Sequence, residues 1–148
     1  MTTKLELENA LKDSMRAGDN VKKSTLRMVL SAIRLAEVEK GKPLDEPGLL
    51  AVLHKEVKSR RESIADAQRA NRPDLILGAE AEIAVLEGFL PKALAAEELD
   101  ALVRQAIADA GATSPREMGQ VMKLLVPRLQ GRVPGDQASQ AVRRLLGG

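Results

Sequence analysis

Apolar residues recur every three or four positions through most of the chain, the spacing that lines one face of an α-helix. Seven segments carry this pattern. A first helix is predicted from about Thr3 to Ala17, with Leu5, Leu7, Leu11 and Met15 on its apolar side and Gly18 as its stop. Asp19 or Asn20 caps a second, from about Val21 to Lys40, which ends at Gly41. Its apolar set, from Val21 and Leu26 through Met28, Val29, Leu30 and Ile33 to Leu35, is wide enough to predict burial on more than one side. Lys23, Arg27 and Arg34 share the remaining strip. A third helix runs from about Glu46 to Asn71, with Pro47 in its first turn and Leu49, Leu50, Leu53, Val57 and Ile64 facing a core. Its charged run, Lys55 to Glu62, reads as an exposed face supported by opposite charges three and four apart, or else as a basic ridge. The fourth helix, from about Asp74 to Phe89, offers Leu75, Leu77, Ala81, Val85 and Leu86 to the core.

After Pro91-Lys92 the helices shorten and acids thin out, which places a domain boundary there. A fifth helix covers about Ala96 to Ala110, with Leu99, Leu102, Val103, Ala106 and Ile107 at helical spacing. A sixth opens on Ser114-Pro115-Arg116-Glu117, the pattern of a capping box. It buries Met118, Val121, Met122, Leu125 and Leu129, and Pro127 should kink or end it near Val126. A seventh, about Asp136 to Leu146, buries Ala138, Val142, Leu145 and Leu146. The expected fold is all-α: a bundle of about four helices over residues 1–91, then a small three-helix domain over residues 92–148.

Composition sharpens this. Phe89 is the only aromatic residue, which suits helices better than a sheet and removes base stacking as a means of gripping single-stranded nucleic acid. There is no cysteine, so disulfides, thiolate zinc sites and thiol catalysis are excluded, and the expected location is the cytoplasm. No apolar run reaches the roughly 18 to 20 residues of a membrane span, and no membrane partner is expected. Net charge is only +2, but from Gly111 onward six basic residues face two acidic ones. A locally cationic stretch favours an anionic partner.

Candidate chemistry is sparse. His54 is the only histidine and reads as a surface or boundary residue; no metal or cofactor is expected. No carboxylate pair, nucleophile with a base, or phosphate loop stands out, so no catalytic residue is expected. The stretch from Met118 to Arg132 is instead an amphipathic helix with a cationic edge. Lys123, Arg128 and Arg132 are the candidate phosphate contacts. Gly119 either packs tightly against the fifth or seventh helix or lets a partner's backbone approach. Gly131 supplies an unusual backbone angle at the helix end.

Five stretches together resemble the GatB/YqeY family: residues 24–33 (STLRMVLSAI), 52–64 (VLHKEVKSRRESI), 86–92 (LEGFLPK), 118–122 (MGQVM), and Gly131-Arg132 after Pro127. That family shares a domain with the helical tail of the B subunit of the glutamine-dependent glutamyl/aspartyl-tRNA amidotransferase, which helps engage tRNA. The resemblance implies a two-part helical fold and a role as a non-catalytic tRNA-binding or tRNA-amidotransferase-associated accessory protein. It does not imply amidation: a carbon–nitrogen ligase label with glutamine as amido donor would be inherited from the larger enzyme. The chain departs from the family's pattern at Val133-Pro134-Gly135, where a small acidic turn is usual, and at Ala95-Ala96, where a serine or threonine commonly caps the helix. The alternative from a different class is a helical protein-interaction adaptor, with a partner helix held in an apolar groove rich in Met118, Met122 and leucines.

Overall fold

The structure is a computed structural model and describes residues 2–147. Among these residues there are seven α-helices, one 3-10 turn and no strand: α1 (Lys4–Ala17), α2 (Asn20–Lys40), α3 (Glu46–Arg69), α4 (Pro73–Glu87), α5 (Ala96–Ala110), α6 (Met118–Leu129) and α7 (Gly135–Leu145), with the 3-10 turn Pro115–Glu117 before α6. The fold is all-α, as its periodicity implies. The helices form two compact units that divide between Leu90 and Pro91.

In the first unit the helix ends follow local chemistry. Thr3, Asp19 and Asp45 each accept a hydrogen bond from the backbone N–H three residues on, capping α1, α2 and α3. Gly18 and Gly41 end α1 and α2 in the left-handed conformation, with φ of 70° and 74°. The core gathers Leu7, Leu26, Val29, Ile33, Leu53 and Leu86, which are fully buried, and α3 adds Leu49, Leu50 and Val57 as its spacing predicts.

Several apolar positions lie outside that core. Leu5 is 63% exposed. It sits two residues from Leu7, and such positions point to nearly opposite sides of a helix. Met15 is also exposed. The breadth of the α2 apolar set does not mean burial on several sides: Thr25, Leu26, Val29, Leu30 and Ile33 are buried, whereas Val21, Met28, Leu35 and Val38 face outward. In α4 only Ile83 and Leu86 are buried, and the expected core residues Leu75 and Leu77 are exposed.

The charged run of α3 also turns inward. Arg60 is 5% exposed. Its Nε donates to Glu82 of α4 at 2.8 Å and its NH1 to Glu56 one turn back at 2.6 Å, with NH2 3.6 Å from the Met28 sulfur of α2. One guanidinium thus ties three helices together, and the run is neither a fully solvated face nor a basic ridge. Arg61 makes a looser surface pair with Glu87, 3.4 Å away.

In the second unit Val103, Ala106, Val121, Leu125, Ala138 and Val142 make an apolar centre with no exposure. Two local expectations change here. Ser114 caps nothing with its side chain, and residues 115–117 form a 3-10 turn, with Glu117 accepting from the Thr113 hydroxyl at 3.3 Å instead of returning to Ser114. Helix α6 continues through Pro127 to Leu129. Pro127 cannot donate to the Lys123 carbonyl, but that is one helical hydrogen bond, and burial of Leu125 and Leu129 on one side carries the helix past it. At the start of α5, Ala95 has no side-chain acceptor, and Glu98 keeps only a long 3.4 Å hydrogen bond from the Ala95 N–H.

Candidate nucleic-acid interface

The buried stripe of α6 is Val121, Leu125 and Leu129, so the opposite side must face water. That side presents Gly119, Gln120, Lys123 and Val126. Gly119 and Lys123 are four residues apart and therefore neighbours on one face. A Cβ built on Gly119 meets nothing within 4 Å. Tight packing against α5 or α7 is thus not what this glycine is for. Lys123 is exposed and has no ion-pair or hydrogen-bond partner through its side chain among the described residues.

The two arginines are held differently. Arg128 NH1 lies 2.8 Å from an oxygen of Asp109, near the end of α5. Hydrogen bonds from the Gln105 amide, and then from Arg128, hold the Asp109 carboxyl below its ordinary pKa. Arg132 works inside the fold. Its Nε donates to the Lys92 carbonyl at 2.8 Å, its own carbonyl accepts from the Leu94 N–H at 3.3 Å, and its NH2 is 3.8 Å from Glu98. It fastens the segment entering α5 to the turn after α6. That turn is shaped by two successive left-handed residues, Gln130 (φ 51°) and Gly131 (φ 71°), the second as its sequence position predicts.

Glu98 and Asp109 are eleven positions apart on α5. Eleven residues make about three turns, so the two acids sit on one side of the helix but roughly 16 Å apart. Arg128 and Arg132 are therefore tied to opposite ends of α5 and are not gathered with Lys123 along a single edge. Arg144 is paired too, with Asp100 at 2.6 Å. These acids precede Gly111, so counting charge along the C-terminal third overstates its field: α5 brings the neutralising carboxylates back onto the cations.

The Asp100–Arg144 pair also lines a shallow cavity of about 310 Å³ between α5 and α7, with Leu99, Gln137 and Gln140 among its walls. Among the described residues no three His, Asp or Glu side chains are placed to hold a metal ion, and His54 is half-buried in α3. No helix of the described residues is long and apolar enough to cross a membrane.

The YqeY-like protein family model matches residues 4–146, which takes in all seven helices of both units. The chain belongs to that family. The chain is also similar to curated proteins of another name. A Kluyveromyces lactis protein named altered inheritance of mitochondria protein 41, mitochondrial, is 40% identical over 113 residues, which are 74% of this chain and 60% of the relative. The protein of the same name from Lachancea thermotolerans is 33% identical over 112 residues, again 74% and 60%. A Saccharomyces cerevisiae counterpart is 33% identical over 95 residues, 64% of this chain and 51% of its own length. The chain thus spans at most about 60% of the length of these relatives.

Their names correct one expectation. Relatives named as mitochondrial overturn the cytoplasmic placement of this YqeY-like chain. The physical reason is that an absence of cysteine speaks to redox compatibility, which several compartments share, and carries no address.

Proposed function

We propose that this YqeY-like protein is a non-catalytic accessory protein that binds tRNA, in the service of a tRNA amidotransferase, through the outward face of α6. The observation that supports the reading is Gly119. A glycine in a helix costs about 0.5–1 kcal/mol relative to alanine, and here no packing requires it. It leaves bare backbone one turn from Lys123, an exposed cation without a partner among the described residues. A phosphate chain can lie close over the glycine and take the ammonium as counterion, a contact of charge and shape that suits folded RNA. Arg128, paired with Asp109 near the end of α5, lies away from this face and serves by holding α6 to α5. Arg132 serves by holding the turn after α6 in place.

The test is tRNA binding by the whole chain across a salt series. Affinity should fall steeply between about 50 and 200 mM salt. Lys123→Glu should weaken binding several-fold and lower the salt slope by about one. Gly119→Ala should raise stability while Gly119→Leu weakens binding, because bulk there obstructs only an incoming partner. An affinity indifferent to salt and to both Lys123→Glu and Gly119→Leu sinks the reading.

A further inference from the structure

Two helices of the first unit have outer faces that the fold leaves uncovered. On α2 these are three parallel ridges. Val21, Met28 and Leu35 repeat every seven residues and form an exposed apolar line. Beside it run Ser24 and Ser31, also seven apart, exposed and small. Beyond them Arg27 and Arg34 form a third line, exposed, with no ion-pair partner among the described residues.

Helix α4 presents the complementary set. It is apolar on nearly every side, a pattern expected of a buried helix, yet only Ile83 and Leu86 are buried. Leu77, Ala81 and Ala84 fall on one outward stripe, and Glu80 and Glu87 run alongside it, again seven apart. Leu77 is 68% exposed. Glu80 has no partner among the described residues, and Glu87 has only the loose surface pair with Arg61.

We propose that the first unit self-associates, with the outer face of α2 receiving α4 of a second copy. Large side chains meet small ones: in the parallel register that sets Arg27 against Glu80 and Arg34 against Glu87, Met28 falls on Ala81, Leu35 on Gly88 and Leu77 on Ser24. The charges meet in register, because Arg27 and Arg34 share the seven-residue repeat of Glu80 and Glu87. Pairing α2 with α2 of the second copy is disfavoured, since an antiparallel alignment would set the arginine lines against each other. Because α2 and α4 pack side by side in one unit, α2 on α4 and α4 on α2 close together as a two-fold pair.

The experiment is sedimentation of nuclease-treated chain over a concentration series. The expected result is a reversible shift from 15.9 kDa to twice that mass. Arg27→Glu with Arg34→Glu should weaken association on the order of 100-fold, as should Glu80→Lys with Glu87→Lys. All four residues are exposed, so helix content should not change. Mixing the two charge-reversed proteins should restore a one-to-one pair. A chain that stays at 15.9 kDa at its highest soluble concentration overturns the proposal, and so does a dimer that ignores both reversals or is not restored by mixing.

Discussion

The two units distribute polarity in opposite ways. In the first, an apolar core also takes in polar groups and part of the apolar surface stays out: its buried polar residues are Ser14, Thr25 and Arg60, while Leu5, Met15, Val21, Met28, Leu35, Val38, Leu75 and Leu77 are exposed. In the second, the core holds only apolar side chains, and Val126 is the one large apolar residue exposed among those described. The second unit is satisfied by its own contacts, down to pairing three of its six arginines with α5 acids. The first is not, which is why an unclaimed surface is to be sought on α2 and α4, and why its interior depends on one ion cluster.

The contrast can be broken most sharply at adjacent residues of α6. Leu125→Ala, at a fully buried position, should cost about 3 kcal/mol. Val126→Ala, at a half-exposed one, should stay within about 0.5 kcal/mol. Urea unfolding of both variants measures the difference, and equal losses would mean that the second unit's core is misplaced.

Arg60→Ala tests the charged interior of the first unit. It strands Glu56 and Glu82 facing each other without a cation, and the expected loss is about 2 kcal/mol, below the value for a fully buried pair because both carboxylates keep some water. Arg60→Met should lose less if Glu56→Gln and Glu82→Gln accompany it, since a neutral replacement removes the stranded charges. A thermal melt that Arg60→Ala leaves unchanged would remove the cluster from the account of stability.

Thr25→Val has the opposite sign. The Thr25 hydroxyl is buried and makes no hydrogen bond among the described residues, so an isosteric methyl should stabilise the protein by about 1 kcal/mol. A loss on this change would reveal a partner for that hydroxyl.

The smallest effect is a slope. The Lys4 ammonium, at 2.8 Å, and then the Leu44 N–H, at 3.0 Å, hold the Glu37 carboxyl below its ordinary pKa. A carboxylate with a lowered folded pKa adds stability that is complete above its unfolded pKa and is lost as pH falls through the folded one. Glu37→Gln should therefore flatten the acid limb of the stability curve below the usual glutamate range and leave neutral pH nearly unchanged in slope.

Helix identity was legible from the residues alone, because a period of three to four, a capping Asp side chain and stop glycines all act within a turn or two of chain. That is why α5 carries its predicted bounds and why Asp19, Gly18 and Gly41 stand where helices begin and end. The cationic character of the C-terminal third was legible too, as a count. Which partners those cations have was not: Asp109, Asp100 and Glu98 are distant in sequence and become neighbours of Arg128, Arg144 and Arg132 only when α5, α6 and α7 pack. The same holds for Arg60, whose run of charges reads as surface until α4 supplies Glu82. Local periodicity says that a side chain belongs to a face, but burial is a property of what comes to cover that face. For Leu5, Met28, Leu35 and Leu77 nothing among the described residues does, and only the tertiary structure could decide it.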